Sequence, residues 1–158
     1  MRKPAKANTF EGKFIRVSPA KFMEKTALPV GWFVVRFGLM RDKSARRKSH
    51  GEWFSIKSDK RTIYRMLRFS VNLKGSSANG HPEMVLDWAG WIDLYDREDN
   101  VDAPLRLMVR RVPWWHAPWV YLKHPDPAVR LSSYLGWASI LLGGLSILLS
   151  LVIWRLQP

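Results

Sequence analysis

A run of twenty uncharged residues near the C-terminus, Leu135 to Trp154, constrains this chain more than any other feature. No acidic or basic residue lies between Arg130 and Arg155. At a rise of about 1.5 Å per residue, a helix of this length measures about 30 Å, the thickness of a bilayer's hydrocarbon core. The run has no polar face, which a core helix of a small protein would show. The sequence therefore predicts a transmembrane helix at 131–154, followed by a short tail at 155–158.

Aromatic residues cluster where the two membrane interfaces would lie, since amphipathic rings favour the headgroup layer. The tryptophans assigned to these interfaces are Trp114, Trp115, Trp119, Trp137 and Trp154. The segment 113–130 also holds four prolines, which oppose a long regular helix. We expect an extended or broken juxtamembrane segment there, lying along the membrane surface.

Positive charge predicts the orientation of the helix. Five basic residues precede it closely and only Arg155 follows it; the five are Arg106, Arg110, Arg111, Lys123 and Arg130. Because basic flanks stay on the cytoplasmic side, the N-terminal domain is expected in the cytoplasm. This is a single-pass, tail-anchored topology, and a bacterial inner membrane is its expected location.

Small residues form a stripe along the predicted helix at spacings of four and three. The members of this small-residue seam are Ser132, Gly136, Ser139, Gly143, Ser146 and Ser150. Their period of 3.5 residues favours left-handed crossing, and small residues let helices approach closely in lipid. The seam predicts packing against another copy of this chain or against another protein's helix.

The rest of the chain is one basic domain. The protein has a net charge of +13, and 25 of its 26 Lys and Arg precede the helix together with all 13 acids. Such a charge favours anionic lipid, nucleic acid or an acidic protein as partner. The absence of cysteine excludes disulfides, zinc–thiolate and iron–sulfur sites and cysteine nucleophiles. Residues 1–9 are expected to form a disordered basic arm.

Residues 10–112 show repeated alternation of apolar and polar side chains without a βαβ pattern. We predict a small antiparallel sandwich or barrel of about six strands and one short helix at 20–27. The predicted strands cover 10–17, 31–40, 52–58, about 65–73, 84–94 and 105–112. The start of 59–73 fits either a helix or a strand. In a strand, Arg65 would interrupt the apolar face. In 84–94, the most regular alternation of the chain, Gly90 indicates a bulge.

Residues 31–40 and 52–58 are predicted to pair as a hairpin, with the basic stretch between them as its loop. The cations of this stretch, candidates for anion binding, are Arg41, Lys43, Arg46, Arg47 and Lys48. Aromatic residues on the adjoining strands could stack on bases or enter a lipid interface while the cations contact phosphate. A solvated loop beside ordinary core aromatics is the alternative.

No catalytic or cofactor motif is present, so no cofactor, metal site or catalytic residue is predicted. None of the four histidines has metal-ligand spacing, and the acidic run after Asp96 lacks the glycine of a calcium loop. On a strand, Asp87 and Asp93 would lie about 20 Å apart, too far for a carboxylate pair. Asp87 and His81 are the best candidates should the chain be an enzyme acting on lipid or cell-wall precursors.

Three functions follow from these patterns. We expect a non-enzymatic subunit of a membrane complex, with the seam packing against other subunits and the β domain binding protein. The alternative is a membrane tether that binds nucleic acid or anionic lipid through 41–48. A surface enzyme is the third.

Overall fold

A computed structural model describes residues 9–17, 29–40, 42–71, 73, 80–96 and 103–156. The chain divides into two compact units, Met1–Ala117 and Pro118–Pro158. Several predicted features lie outside the described residues: most of the N-terminal arm, the helix at 20–27, Arg41, most of the acidic run after Asp96 and the last two residues of the tail.

The first unit is a closed barrel of six β-strands, which confirms the predicted mainly-β domain. The strands are β1 (Thr9–Val17), β2 (Trp32–Arg36), β3 (Trp53–Lys57), β4 (Thr62–Ser70), β5 (Glu83–Leu86) and β6 (Leu105–Arg111). They follow one another around the barrel in the order β1, β5, β2, β4, β3, β6, and β6 pairs back to β1.

Two of the six strand pairings are parallel, whereas the sequence predicts an antiparallel barrel, and the predicted hairpin of 31–40 with 52–58 is also wrong. β1 runs parallel to β5, and β2 runs parallel to β4 with Trp32 opposite Met66. β4 lies between β2 and β3, so residues 31–40 and 52–58 do not pair with each other. Local alternation identifies the strands but says nothing about which distant strand each will meet.

The barrel interior is filled by alternate side chains from all six strands. On β6, Leu107 and Val109 are fully buried while Arg106 and Met108 face solvent, as the sequence predicts. The large, fully buried side chains of this core are Phe14, Phe33, Phe54, Ile56, Leu67, Met84, Leu86, Trp91, Leu94 and Leu107. Removing this apolar surface from water is the main driving force for closing the barrel.

The region 84–94, predicted as one long strand, is a short strand followed by a helix. β5 ends at Leu86, and helix α2 spans Trp88–Tyr95. The carboxylate of Asp87 accepts a hydrogen bond from the backbone N–H of Gly90 and caps the helix. The predicted bulge at Gly90 is therefore wrong, because Gly90 lies in the first turn of α2.

The region 59–73 is a strand over Thr62–Ser70, which resolves the open choice in favour of strand. Ile63, Arg65 and Leu67 alternate on its buried face. The charged residue that interrupts the apolar pattern is therefore inside the barrel.

The second unit is dominated by one long helix. It is preceded in the chain by a 3-10 turn (Trp114–His116), which belongs to the first unit, and by the short helix α3 (Ala117–Tyr121). The long helix α4 spans Pro127–Leu156 and begins four residues before the predicted boundary at 131. Pro127 is compatible with this helix because proline is well suited to the first helical position. The carboxylate of Asp126 accepts a hydrogen bond from the N–H of Ala128 at the start of the helix. α4 is long and apolar enough to cross a membrane.

Candidate functional site

The basic stretch after β2 is a helix, not the predicted loop. Helix α1 spans Lys43–Ser49 and begins at Asp42, whose carboxylate accepts hydrogen bonds from the N–H groups of Ser44 (2.9 Å) and Ala45 (3.2 Å). Gly51, with a φ of 80°, follows its end, a backbone conformation that glycine adopts easily. An aspartate cap and a following glycine are ordinary helix signals. The many charged residues between them led to the prediction of a loop.

One side of α1 lines an open groove of about 450 Å³ on the barrel surface. We call it the basic groove. Its lining residues are Phe37, Lys43, Arg46, Arg47, His50 and Phe69. Phe37 comes from the 3-10 turn Phe37–Leu39 that ends β2, and Phe69 comes from the end of β4. Of the predicted anion-binding residues, Lys43, Arg46 and Arg47 line the groove; Lys48 lies on α1 outside it, and Arg41 is not described.

Arg46 is a groove residue that contacts both the backbone before α1 and the ring of Phe37. Its guanidinium donates a 2.6 Å hydrogen bond to the carbonyl of Met40 and lies 4.0 Å from the centre of the Phe37 ring. Phe37 in turn meets Phe69 edge to face, with ring centres 6.4 Å apart. A cation over an aromatic face is attracted by the ring's quadrupole. Arg46 therefore joins α1 to the aromatic wall of the groove.

The remaining cations of α1 are not neutralised. Within the part of the chain that the structure describes, Lys43, Arg47 and Lys48 make no ion pair, and all three are exposed. Three acids elsewhere on the barrel form ion pairs with other cations: Glu11 with Arg106, Glu52 with Arg111 and Asp96 with Arg61. The hydrogen bond from Arg106 to Glu11 raises the pKa of Arg106. Among the described residues, three exposed cations without an ion pair thus lie on one short helix.

His50, Phe37 and Phe69 are groove residues that sequence reasoning missed. His50 follows α1 directly and packs against Trp32, with ring centres 6.2 Å apart. The available signal was a phenylalanine directly after the charged Arg36, at the end of the apolar stretch of β2. Phe37 is 44 % exposed.

Asp87, one of the two candidates for acid–base chemistry, is engaged in the fold. One carboxylate oxygen accepts from Nε of Arg65 (2.8 Å), and the other accepts from Nη2 of Arg65 and from the N–H of Gly90 (both 3.0 Å). The side chain of Arg65 is 5 % exposed and that of Asp87 is 29 % exposed. These contacts give Asp87 a structural role. The second candidate, His81, is half-buried beside β5.

Two further observations concern metal-ligating groups and the tryptophans assigned to the membrane interfaces. The described residues contain no group of three or more His, Cys, Asp or Glu placed to hold a metal ion. Of the predicted interface tryptophans, Trp119 stacks on Trp137 of α4 at 5.3 Å, and Trp114, Trp115 and Trp154 are exposed.

The small-residue seam lies along α4, and its serines bond within the helix. Each hydroxyl donates to the carbonyl four residues earlier: Ser132 to Ala128, Ser139 to Leu135, Ser146 to Leu142 and Ser150 to Ser146, at 2.9 to 3.0 Å. The hydroxyls therefore need no outside partner in an apolar medium. A Cβ atom built at Gly136 or Gly143 meets nothing within 4 Å.

The protein is thus a six-stranded closed β-barrel with a C-terminal apolar helix. The chain matches no protein-family model, and it matches no curated protein. Among solved structures it is similar to two rationally designed double-psi β-barrel proteins, at 14 % and 17 % identity and with TM-scores of 0.39 and 0.38. Each match covers 66 % of this chain and 99 % of the designed protein. It is also similar to the apo expansin of Clavibacter michiganensis (11 % identity, TM-score 0.41, 67 % of this chain and 51 % of the expansin). At these scores the likeness carries no information about function.

Proposed function

We propose that this protein is a non-enzymatic, single-pass subunit of a larger membrane complex. α4 anchors it in the bilayer and packs through the small-residue seam, and the barrel is its protein-interaction module. The barrel faces the cytoplasm, in keeping with the basic residues that precede α4, and the membrane is a bacterial inner membrane.

The observation that carries this proposal is the surface of α4. Large apolar side chains cover most of the helix and are more than half exposed, which water does not tolerate over 30 residues and lipid does. The seam interrupts that surface with small side chains whose hydroxyls are already bonded. Lipid tails pack against Leu and Ile equally well on every side of the helix. A second helix can come closest at the stripe of small residues, so the gain in van der Waals contact is largest there.

Adjacent glycines supply a matched test of the seam. Gly143 belongs to it, whereas Gly144 lies about 100° further around the helix and outside it. Neither has an atom within 4 Å of a built Cβ, so leucine fits sterically at both positions in the isolated chain. The two variants Gly143→Leu and Gly144→Leu have the same composition and the same hydrophobicity.

The experiment is gentle detergent extraction followed by affinity purification and native mass measurement of each variant. We expect the unmodified chain and Gly144→Leu to retain other membrane proteins, or a second copy, at a fixed ratio. Gly143→Leu should lose them, because leucine separates the helices. Equal retention by both variants, or an unmodified chain that purifies alone as a monomer, would refute the proposal.

A further inference from the structure

The basic groove has the shape and chemistry of a site for one phosphate group beside an apolar moiety. Its volume of about 450 Å³ lies within the range of small-ligand sites. Lys43 and Arg47 supply exposed positive charge at one side, and Phe37 and Phe69 form an apolar wall at the other. Arg46 connects the two sides, because it lies on α1 and its guanidinium stands 4.0 Å from the centre of the Phe37 ring.

We propose that the basic groove binds the phosphate headgroup of an anionic phospholipid. This inference rests on the proposed membrane anchoring, and it names a ligand for the barrel that anchoring alone does not require. Membrane anchoring would confine the barrel to the neighbourhood of the bilayer, which raises the effective headgroup concentration around it. Clusters of Lys and Arg on membrane-tethered segments are attracted to anionic headgroups.

The extent of the charge favours a lipid over a nucleic acid strand. The four cations of α1 lie on seven residues, a length of about 10 Å. Single-strand binding needs a basic groove that follows the backbone over about four nucleotides or more. The groove is therefore long enough for one headgroup and too short for a strand. The exposed ring of Phe37 also suits the glycerol and upper acyl region of a lipid better than solvent.

The test uses the full chain in detergent micelles, titrated with phosphatidylglycerol or phosphatidylcholine, with bound lipid counted by native mass spectrometry. The groove variant is Lys43→Gln with Arg47→Gln, two exposed cations that line the groove. The matched control is Lys13→Gln with Arg110→Gln, two exposed cations on β1 and β6. Both variants remove two positive charges, so they differ only in where the charge is lost.

We expect the unmodified chain and the control to bind phosphatidylglycerol in preference to phosphatidylcholine, and the groove variant to bind it about tenfold more weakly or worse. Equal losses in both variants would show that net charge alone attracts the lipid and would overturn the proposal. Oligothymidylate that binds more tightly than phosphatidylglycerol and depends on the same cations would overturn it in favour of nucleic acid. Full competition by inorganic phosphate, with no preference for the lipid, would overturn it in favour of a free anion.

Incorporation of the full chain into phosphatidylcholine nanodiscs separates this proposal from the one on which it rests. A chain that fails to enter nanodiscs contradicts membrane anchoring. A chain that enters them while its preference for phosphatidylglycerol is unaffected by the groove variant contradicts the groove assignment alone.

Discussion

Arg65 and Asp87 form a bidentate ion pair that joins a barrel strand to the cap of a helix. Nε of Arg65 lies 2.8 Å from Oδ1 of Asp87, and Nη2 lies 3.0 Å from Oδ2. Arg65 lies on the buried face of β4, and Asp87 stands between β5 and α2. A third donor of Arg65, Nη1, bonds the carbonyl of Tyr64. Each of the three nitrogens of the buried guanidinium thus donates a hydrogen bond, and the ion pair ties β4 to the residue where the chain turns from strand to helix.

Arg65→Met should destabilise the fold, because it leaves the half-buried Asp87 carboxylate without its cation. We expect a loss of about 2 to 3 kcal/mol in the free energy of unfolding, measured by urea titration of the full chain in detergent. Arg61→Met is the matched control, since Arg61 pairs with Asp96 on the surface, with side chains 53 % and 40 % exposed. Its loss should stay below about 1 kcal/mol. If both variants lost the same free energy of unfolding, burial would not explain the contribution of the Arg65–Asp87 pair.

Asp87→Asn tests the pair from its other side. Asparagine keeps the helix cap and removes the charge. Adding it to Arg65→Met should cost less than the sum of the two single changes, with a coupling of about 1 kcal/mol or more. Strict additivity in this cycle would mean that the two side chains do not interact.

Gly90→Ala should destabilise the protein even though alanine favours a helix by about 1 kcal/mol. A Cβ at this position would lie 3.1 Å from Nη2 of Arg65, Oδ1 of Asp87 and Cδ2 of Leu86. The first two atoms are held by the ion pair, so they cannot move away cheaply, and overpacking should leave a net loss of about 1 kcal/mol. Gly38→Ala, with nothing within 4 Å of its Cβ, is the control and should change stability little. A stabilised Gly90→Ala variant would contradict this account.

Asp42→Ala should loosen α1 without unfolding the barrel. The change removes the cap bonds to Ser44 and Ala45, worth about 1 kcal/mol. Amide hydrogen exchange of His50, whose N–H bonds the carbonyl of Arg46, should accelerate about fivefold. Asp42→Asn retains a capping oxygen and should exchange at nearly the original rate. Unchanged exchange in Asp42→Ala would mean that packing alone holds the helix.

The barrel strands could be predicted wherever alternation ends at a clear boundary, as on β1 and β6. The prediction failed at 84–94 because Met84, Leu86 and Trp88 continue the alternation past Asp87, where the strand stops. The helical spacing of Trp91, Leu94 and Tyr95, all buried, was the competing signal. Trp88 is 52 % exposed, with Arg16 over its ring, so its agreement with the strand pattern was accidental.

The basic groove was only half predictable. The cations are visible in the sequence, but the aromatic wall depends on Phe69 of β4 lying near Phe37, the residue that follows β2. That proximity follows from the parallel pairing of β2 and β4, in which Val35 is opposite Phe69. A pairing between strands that are not neighbours in sequence leaves no local trace. The sequence pattern showed Arg65 as a charged residue on the apolar face of its strand. It did not show that Asp87 is the partner of Arg65.

A crosslinking scan of α4 tests the central claim, packing through the seam, most directly. A diazirine amino acid is placed at successive positions from 136 to 150, and the full chain is irradiated in native membranes. We predict crosslinks to one partner that peak at Gly136, Ser139, Gly143 and Ser146, with minima at Leu141 and Gly144. Such a period of 3.5 residues is the mark of a left-handed helix pair. Uniform crosslinking to lipid around the whole helix, with no protein partner at any position, would contradict the account.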